Sequence, residues 1–393
     1  MVVYRVWSSR WRYFNATVLV LLFVYLTCTP SRGQSWSRSW SRRPTSNRSQ
    51  STSHDHIPLT VILAAIKKDN LTLLEQDSGL SHGDTQIVYV ADDPNAMHTV
   101  PVNKGNEAMV YLTYLIDHYD SFPDLMVFMH AGRTSWHNNI LLHLKSSSLI
   151  QRLHRPHARD AGFVNLRCDA TNACTEIQYA VHGQYPVSVF TRKRIDYSRQ
   201  LKLEYAEFDQ LWDEIFPGQP VPSAIGTHTG AQFALTRDMA RRVSLAELKR
   251  LRQWIVDTDL TSKSAGAVFE FVWHMLFLGT QASVVCPAPL ECYCALYEIC
   301  IQAVNADADR LLDDVTQEGY RAYEMGRDIG RIQHLIGQGP SDERDGELES
   351  ISGGRIGPDL AGLSKYTADL DMYIAETTKR LDRIVKESDA AGL

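Results

Sequence analysis

Residues 103–130 read NKGNEAMVYLTYLIDHYDSFPDLMVFMH, and this stretch decides the fold class. Ala108, Tyr111, Leu112, Leu115, Ile116 and Tyr119 fall at spacings of three and four. That period lays an apolar stripe along one face of a helix. Pro123 ends the segment, because proline lacks the N–H that a helix interior needs. The last six residues, LMVFMH, form a short apolar run without alternation, the pattern of a strand buried on both faces. Similar runs occur at 59–65 (LTVILAA), 86–92 (QIVYVAD), 162–167 (GFVNLR) and 231–236 (AQFALT). Strands alternating with helices predict an α/β domain over residues 57–300, a mainly parallel sheet flanked by helices with right-handed crossovers.

The chain has 393 residues, 44% hydrophobic and 22% charged, an ordinary globular composition. This excludes a wholly disordered, fibrous or multi-span membrane protein. The net charge of −6 is unevenly placed. Residues 1–54 hold eight Arg and no Lys, Asp or Glu, which leaves −14 on the remaining 339. A body so acidic is a poor partner for nucleic acid. The basic excess reads instead as targeting. Arg5, Arg10 and Arg12 precede the apolar run 16–28 (ATVLVLLFVYLTC), the pattern of a signal sequence. Residues 1–30 are therefore read as a signal anchor or signal peptide, with the single-pass anchor preferred and the body lumenal. Residues 31–56 are rich in Ser and Arg, have no apolar period, and read as a disordered stem. Anchor, stem and lumenal domain predict the secretory pathway, in the Golgi or endoplasmic reticulum membrane, with secretion as the alternative. Asn47 and Asn70 open glycosylation sequons.

The cysteine count agrees. Beyond Cys28, the chain holds Cys168, Cys174, Cys286, Cys292, Cys294 and Cys300, an even set that would pair in an oxidising lumen. Cys168 with Cys174 is a candidate local loop. The 286–300 spacing, C-x5-C-x-C-x5-C, does not match paired zinc knuckles. After Cys300 the chain turns acidic, with 11 Lys and Arg against 19 Asp and Glu. Residues 301–393 read as a helical appendage: one helix over about 307–336, a Gly/Ser/acid-rich gap at 337–358, and a last amphipathic helix carrying Leu370, Ile374, Leu381 and Ile384. The alternative is a partner helix.

Four places carry groups suited to chemistry. Asp92 and Asp93 directly follow a predicted strand, where open α/β sheets place ligands. They could hold a ribose hydroxyl, Mg or Mn, or simply close an Asp-Pro turn. Lys104, just before the striped helix, could receive a phosphate together with the free helix N–H groups. The plain alternative is a helix start, with Asn106 as cap and Glu107 in the first turn. The segment 130–139 (HAGRTSWHNN) gathers His130, Arg133, Trp136, His137 and Asn138 after an apolar strand. Imidazoles shuttle protons or bind metal, a guanidinium grips phosphate, and an indole stacks on a sugar or base. A polar turn around a satisfied histidine pair would look the same. Glu270 and His274 lie four apart in a helix that is apolar almost all round (SAGAVFEFVWHMLFL). Buried there, they must be paired, either with each other or with a ligand. No G-x-S-x-G elbow, Walker loop, H-E-x-x-H or G-x-G-x-x-G occurs. The D-x-D triplets at 257–259, 307–309 and 369–371 do not follow a predicted core strand.

In this order, the stretches NKGNEAMVYLTYLIDHYDSFPDLMVFMHAGRTSWHNN, GFVNLRC, GAQFALTR, AGAVFEFVWHMLF and CYCALYEIC resemble a fungal family, domain of unknown function 3431, across about residues 58–300. That family is uncharacterised. It is similar, more remotely, to glycosyltransferase-like proteins with the Rossmann-like A fold that binds nucleotide sugars. The resemblance implies such a fold, a nucleotide-sugar donor with Mn or Mg as a candidate cofactor, and a glycan or small-molecule acceptor. On that reading His130, His137 or Glu270 is the base on the acceptor hydroxyl. Asp92, Asp93, Lys104, Glu107, Arg133, Trp136, Asn138 and His274 would then bind donor or cofactor. The chain departs from the family in two places: Gly132 stands where a second His is frequent, and Thr229-Gly230 where a cysteine pair is. Two other functions compete. One is a non-catalytic carbohydrate-binding or scaffold protein on a degenerate transferase fold. The other is a metal-dependent hydrolase or tailoring enzyme built on His130, His137, Glu270 and His274.

Overall fold

Strands that are apolar at every position need cover on both sides, and the computed structural model supplies it. The structure describes residues 57–69, 71, 78–169, 174–178, 211–222, 224–228, 230–301, 307–357 and 359–391. The apolar run 16–28, the stem and both sequons lie outside these residues. Among the described residues, no helix is long and apolar enough to cross a membrane.

The strands are β1 (Thr60–Ala65), β2 (Thr85–Val90), β3 (Leu125–His130), β4 (Phe163–Asn165), β5 (Cys174–Gln178), β6 (Ala224–His228), β7 (Phe233–Thr236) and β8 (Val284–Val285). The helices are α1 (Glu107–Asp117), α2 (Ser146–Arg152), α3 (Arg155–Ala161), α4 (Arg237–Ala240), α5 (Leu245–Asp257), α6 (Ser262–Leu278), α7 (Pro289–Tyr297), α8 (Asp307–Gly337), α9 (Asp342–Ser352) and α10 (Leu363–Ala391). Five strands form one sheet in the order β2-β1-β3-β7-β4. β1 is parallel to β2 and to β3, while β7 runs antiparallel to both β3 and β4. Four of the five strands therefore point the same way, and the 231–236 run is the reversed one. β5, β6 and β8 make a second, three-stranded sheet that the apolar pattern did not foresee.

Alternate residues of each strand feed opposite cores. Ile62, Met126, Phe128, Phe233 and Leu235 join α1, α5 and α6 on one face. Val61, Leu63, Val127, Met129 and Ala234 join α2, α3 and α7 on the other. Local chemistry starts the covering helices. Ser244 accepts from the Glu247 N–H ahead of α5, and Thr261 from the Ser264 N–H ahead of α6. The acidic C-terminal region completes the second face: Leu312 and Val315 of α8 and Leu381 and Ile384 of α10 are buried in the same core. α8 and α10 run antiparallel, with Arg380 on Glu318 and the Arg321 guanidinium over the Tyr373 ring. The expected gap after α8 holds α9. Ser341 accepts from Arg344 N, Asp342, Glu343 and Asp345 sit where the helix dipole favours acid, and Gly353 caps the end in a left-handed conformation.

Cys168 pairs with Cys292 across 124 residues, not with its neighbour Cys174. The residues after β4 lie against α7, which brings the two Cα atoms to 5.4 Å, within disulfide reach. Cys294 pairs with Cys300, and Cys286 is disulfide-bonded too. These bridges indicate an oxidising secretory or extracellular setting.

One buried ion pair pins the start of the sheet. Arg155 Nη1 and Nη2 donate to the two Asp84 oxygens at 2.6 and 2.7 Å, and Asp84 also accepts from the backbone of Leu59 and Ser81. Burial opposes ionisation of Asp84, but Arg155 and the two N–H groups outweigh it and hold the carboxyl below its ordinary value. Asp84→Ala leaves the Arg155 charge without its partner and is expected to cost about 3–5 kcal/mol. A urea titration of the purified variant checks this; a loss within experimental error would contradict it.

Candidate functional site

β1 continues into β2 on one side, while β3 leads toward β7 and β4 on the other. The switch point of the sheet therefore lies between β1 and β3, at their C-terminal ends, where open α/β sheets gather ligands. His130 closes β3 there, opposite Ala64.

Gly230 organises this end of the sheet. Its N–H donates to Glu270 Oε2 at 3.0 Å. Its carbonyl lies 3.1 Å from His130 Nε2 and 2.9 Å from His137 Nδ1. Those two ring nitrogens are 2.9 Å apart. Gly230 has φ +122°, and a Cβ there would stand 3.1 Å from His137 Nδ1. Only glycine suits that backbone and that approach. The preceding segment is held by a side-chain chain: Gln232 Oε1 accepts from His130 N, and Gln232 Nε2 donates to Asn138 Oδ1 at 2.7 Å.

Burial sets the charge states. It pushes Glu270 up to about 7, helped by the neighbouring Glu107 carboxylate. Glu107, at the first turn of α1, is buried and likewise raised to about 7. Burial pulls His130 down, and burial with the adjacent His130 pulls His137 to about 3. Near neutral pH the site therefore holds two neutral imidazoles beside a carboxyl pair that is titrating. A group in that range can take or give a proton near neutral pH.

The structure brings His130, His137, Glu270 and Glu107 together and adds Trp136, whose ring centroid is 3.8 Å from that of His137. It separates others from them. Asp92 accepts from Lys67 N at 2.7 Å, and Asp93 from Asn95 N, with Lys67 Nζ at 3.4 Å. Both close the turn after edge strand β2, two strands from His130, or about 10 Å at ordinary strand spacing. Lys104 does not offer its ammonium to a phosphate, because Nζ donates to the Val256 and Thr258 carbonyls at the end of α5. Asn106 makes no side-chain cap. Asn138 is fully buried, and its amide is spent on Leu144 O, Ser146 Oγ and Gln232, so it holds the loop rather than a ligand. Glu270 and His274 are not paired: the glutamate meets Gly230, and His274 Nε2 meets Ser283 O at 3.0 Å. Arg133 lies exposed on the loop after β3. Among the described residues, no group of three or more His, Cys, Asp or Glu is placed to hold a metal ion. The proposed metal set of His130, His137, Glu270 and His274 does not form.

Sequence reasoning passed over Gly230, Gln232, Arg167, Asp169 and Tyr320. Arg167 ends the apolar run GFVNLR as His130 ends LMVFMH, a polar residue closing a strand-like stretch, and that signal is present in the sequence. Tyr320 comes from α8, and its hydroxyl lies 3.0 Å from Asp169 Oδ2 and 2.6 Å from Arg167 Nη2.

A family model described as protein of unknown function, DUF3431, matches residues 61–295, well over half of the chain. The chain belongs to the DUF3431 family. The match takes in both faces of the main sheet, the second sheet and every member of the His130–His137–Glu270–Glu107 cluster. It stops before α8, so Tyr320 lies outside the part that defines DUF3431. No curated protein and no solved structure matches the chain.

Proposed function

We propose that this DUF3431 protein is a lumenal glycosyltransferase-like enzyme that moves a sugar from a nucleotide-sugar donor to a hydroxyl of a glycan or small-molecule acceptor. The observation that carries the reading is the acid–base cluster at the switch point between β1 and β3. Glu270, held by Gly230 N–H and raised to about 7, takes the proton of the acceptor hydroxyl. His130 and His137 fix the Gly230 carbonyl and with it the position of Glu270. The largely one-way sheet, with helices on both faces, supports a Rossmann-like, glycosyltransferase-A-like scaffold. The disulfides support secretion or a tethered lumenal body. The apolar run 16–28 supports a single-pass anchor.

The test is turnover of a panel of nucleotide sugars by the full chain made through a secretory host, with and without Mn. Hydrolysis or transfer from one donor supports the reading. Glu270→Gln is then expected to lower turnover about 10²–10⁴-fold, the usual contribution of a positioned base. Absence of both turnover and donor-dependent stabilisation would overturn the enzyme. One observation favours a second reading, a carbohydrate-binding protein: Asp92, Asp93 and Lys104 are all engaged by the protein itself. Donor-dependent stabilisation without turnover would select it.

A further inference from the structure

A guanidinium taken out of water normally meets a carboxylate, because an unpaired buried charge is costly. Arg167 reaches the carboxylate near it, Asp169, only through the Tyr320 hydroxyl. The arginine is 3% exposed and lies two residues past the end of β4. Its Nη2 donates to the Tyr320 hydroxyl, an uncharged partner. Nε and Nη1 find no hydrogen-bond partner among the described residues. Two aromatic rings lie close to the group, Trp136 with its centroid at 5.3 Å and Tyr320 at 5.7 Å. Asp169 spends its oxygens on the Tyr293 and Tyr320 hydroxyls and on Ile140 N.

The side chain cannot withdraw, because the backbone on either side is clamped. Asn139 Nδ2 donates to Leu166 O at 2.7 Å, and its Oδ1 accepts from Cys168 N at 2.6 Å. Tyr297 also donates to Leu166 O, and Cys168 is tied to α7 by its disulfide. The Trp136 ring near Arg167 also packs against His137, with ring centroids 3.8 Å apart, which places Arg167 beside the acid–base cluster, and its charge acts on Glu270 and His137. His228 is equally buried and feels the same charge. The Pro287 carbonyl lies near it, yet neither ring nitrogen makes a hydrogen bond of normal geometry. The outer ring, Trp136, is 48% exposed, so this group sits one side chain beneath the surface.

A rigid guanidinium with two unpartnered N–H groups is a seat for an oxyanion, since charge-assisted forks to phosphate or carboxylate are its strongest bonds. We propose that Arg167 is the anion seat of this site and receives the diphosphate of the nucleotide-sugar donor. This rests on the transferase reading above. In the transfer, the bond between the sugar C1 and the diphosphate oxygen breaks, and its electron pair leaves on that oxygen, facing Arg167. The acceptor oxygen bonds to C1, and its proton passes to Glu270. The charge that develops on the leaving group then lies against a preorganised cation in a buried setting, where it counts most.

The experiment measures binding of inorganic pyrophosphate to the full chain in EDTA, by thermal shift and calorimetry, for the wild type, Arg167→Met and Arg167→Lys. The wild type is expected to bind and to melt higher. Arg167→Met is expected to lose the shift, and its cooperative melt without ligand shows that the variant folds. Arg167→Lys keeps the charge but not the fork, and is expected to bind at least tenfold more weakly; it carries the test alone if the Met variant does not fold. A wild type indifferent to pyrophosphate, or a Lys variant with unchanged affinity, overturns the seat. Arg167-dependent binding of glucuronate in place of pyrophosphate overturns the phosphate assignment. Pyrophosphate binding lost in Arg167→Met, with no donor turned over by the wild type, upholds the seat and fails the transferase reading. Donor turnover unchanged in Arg167→Met fails the seat and leaves that reading standing.

Discussion

A chain ending at Cys300 is expected to collapse into a molten, aggregating state rather than a smaller folded domain. The family match, which stops at 295, makes such a truncation look natural. The packing argues against it. Leu312, Val315, Leu381 and Ile384 close the second face of the sheet over Leu63, Val127 and Met129. Each large apolar side chain so buried is worth about 1.5–3 kcal/mol. Four of them therefore approach the whole stability of an ordinary domain, about 5–15 kcal/mol. Polar ties go with them: His143 to Asp382, Arg152 to Asp389, and Cys300 N to Ser388 Oγ. Near-UV circular dichroism and dye binding on residues 57–300 and 57–393 decide the matter. A cooperative melt and native near-UV signal from the shorter chain would show that the C-terminal helices are an accessory.

Glu107→Gln should change the stability of the protein in a way that depends on pH. Burial lifts Glu107 and Glu270 from the ordinary 4.5 to about 7, and the Glu107 charge adds to the rise at Glu270. A carboxyl whose folded pKa exceeds its unfolded value supports the fold fully below pH 4.5. It withdraws that support as pH climbs through 7. His137 works the other way. Burial takes it from 6.5 to about 3, so its support is present above pH 6.5 and fades as pH falls toward 3. The wild-type curve sums the two, and the variant isolates the carboxyl part. Relative to the wild type, Glu107→Gln should gain on the order of 2 kcal/mol between pH 4.5 and 7.5. Urea midpoints at four pH values measure the difference, and a difference constant across pH would rule the coupling out. In the enzyme reading, the same substitution removes the like charge that raises Glu270, so the acidic limb of the rate profile should move to lower pH.

Much of the sheet was legible because its strands are buried on both faces. The LMVFMH run became β3 with its bounds unchanged, and the 3.6-residue stripe became α1. The reversal of β7 was not legible, because composition records burial and not direction. The second sheet was missed for a related reason. Residues 224–228 read AIGTH, residues 174–178 read CTEIQ, and β8 has two residues, so none presents an apolar run. Of the site, the sequence marked the residues that end strands or sit oddly in apolar helices: His130, His137 and Glu270. It misread Lys104 and Asn138, whose polar groups serve neighbouring backbone. It could not see Gly230, whose role is carried by main-chain atoms, nor Tyr320, which meets Arg167 across 153 residues.

That last contact bears on the order in which the candidate site is assembled. Synthesis runs from the N-terminus, and domains fold as they emerge. His130, His137, Arg167, Gly230 and Glu270 all leave the ribosome before α8 does. The hydroxyl that accepts from Arg167 Nη2 arrives only with Tyr320 of α8, and α10, whose Leu381 and Ile384 share a core with α8, follows later still. A nascent chain thus carries every acid and base of the candidate site while its buried cation still lacks the Tyr320 hydroxyl that accepts from it.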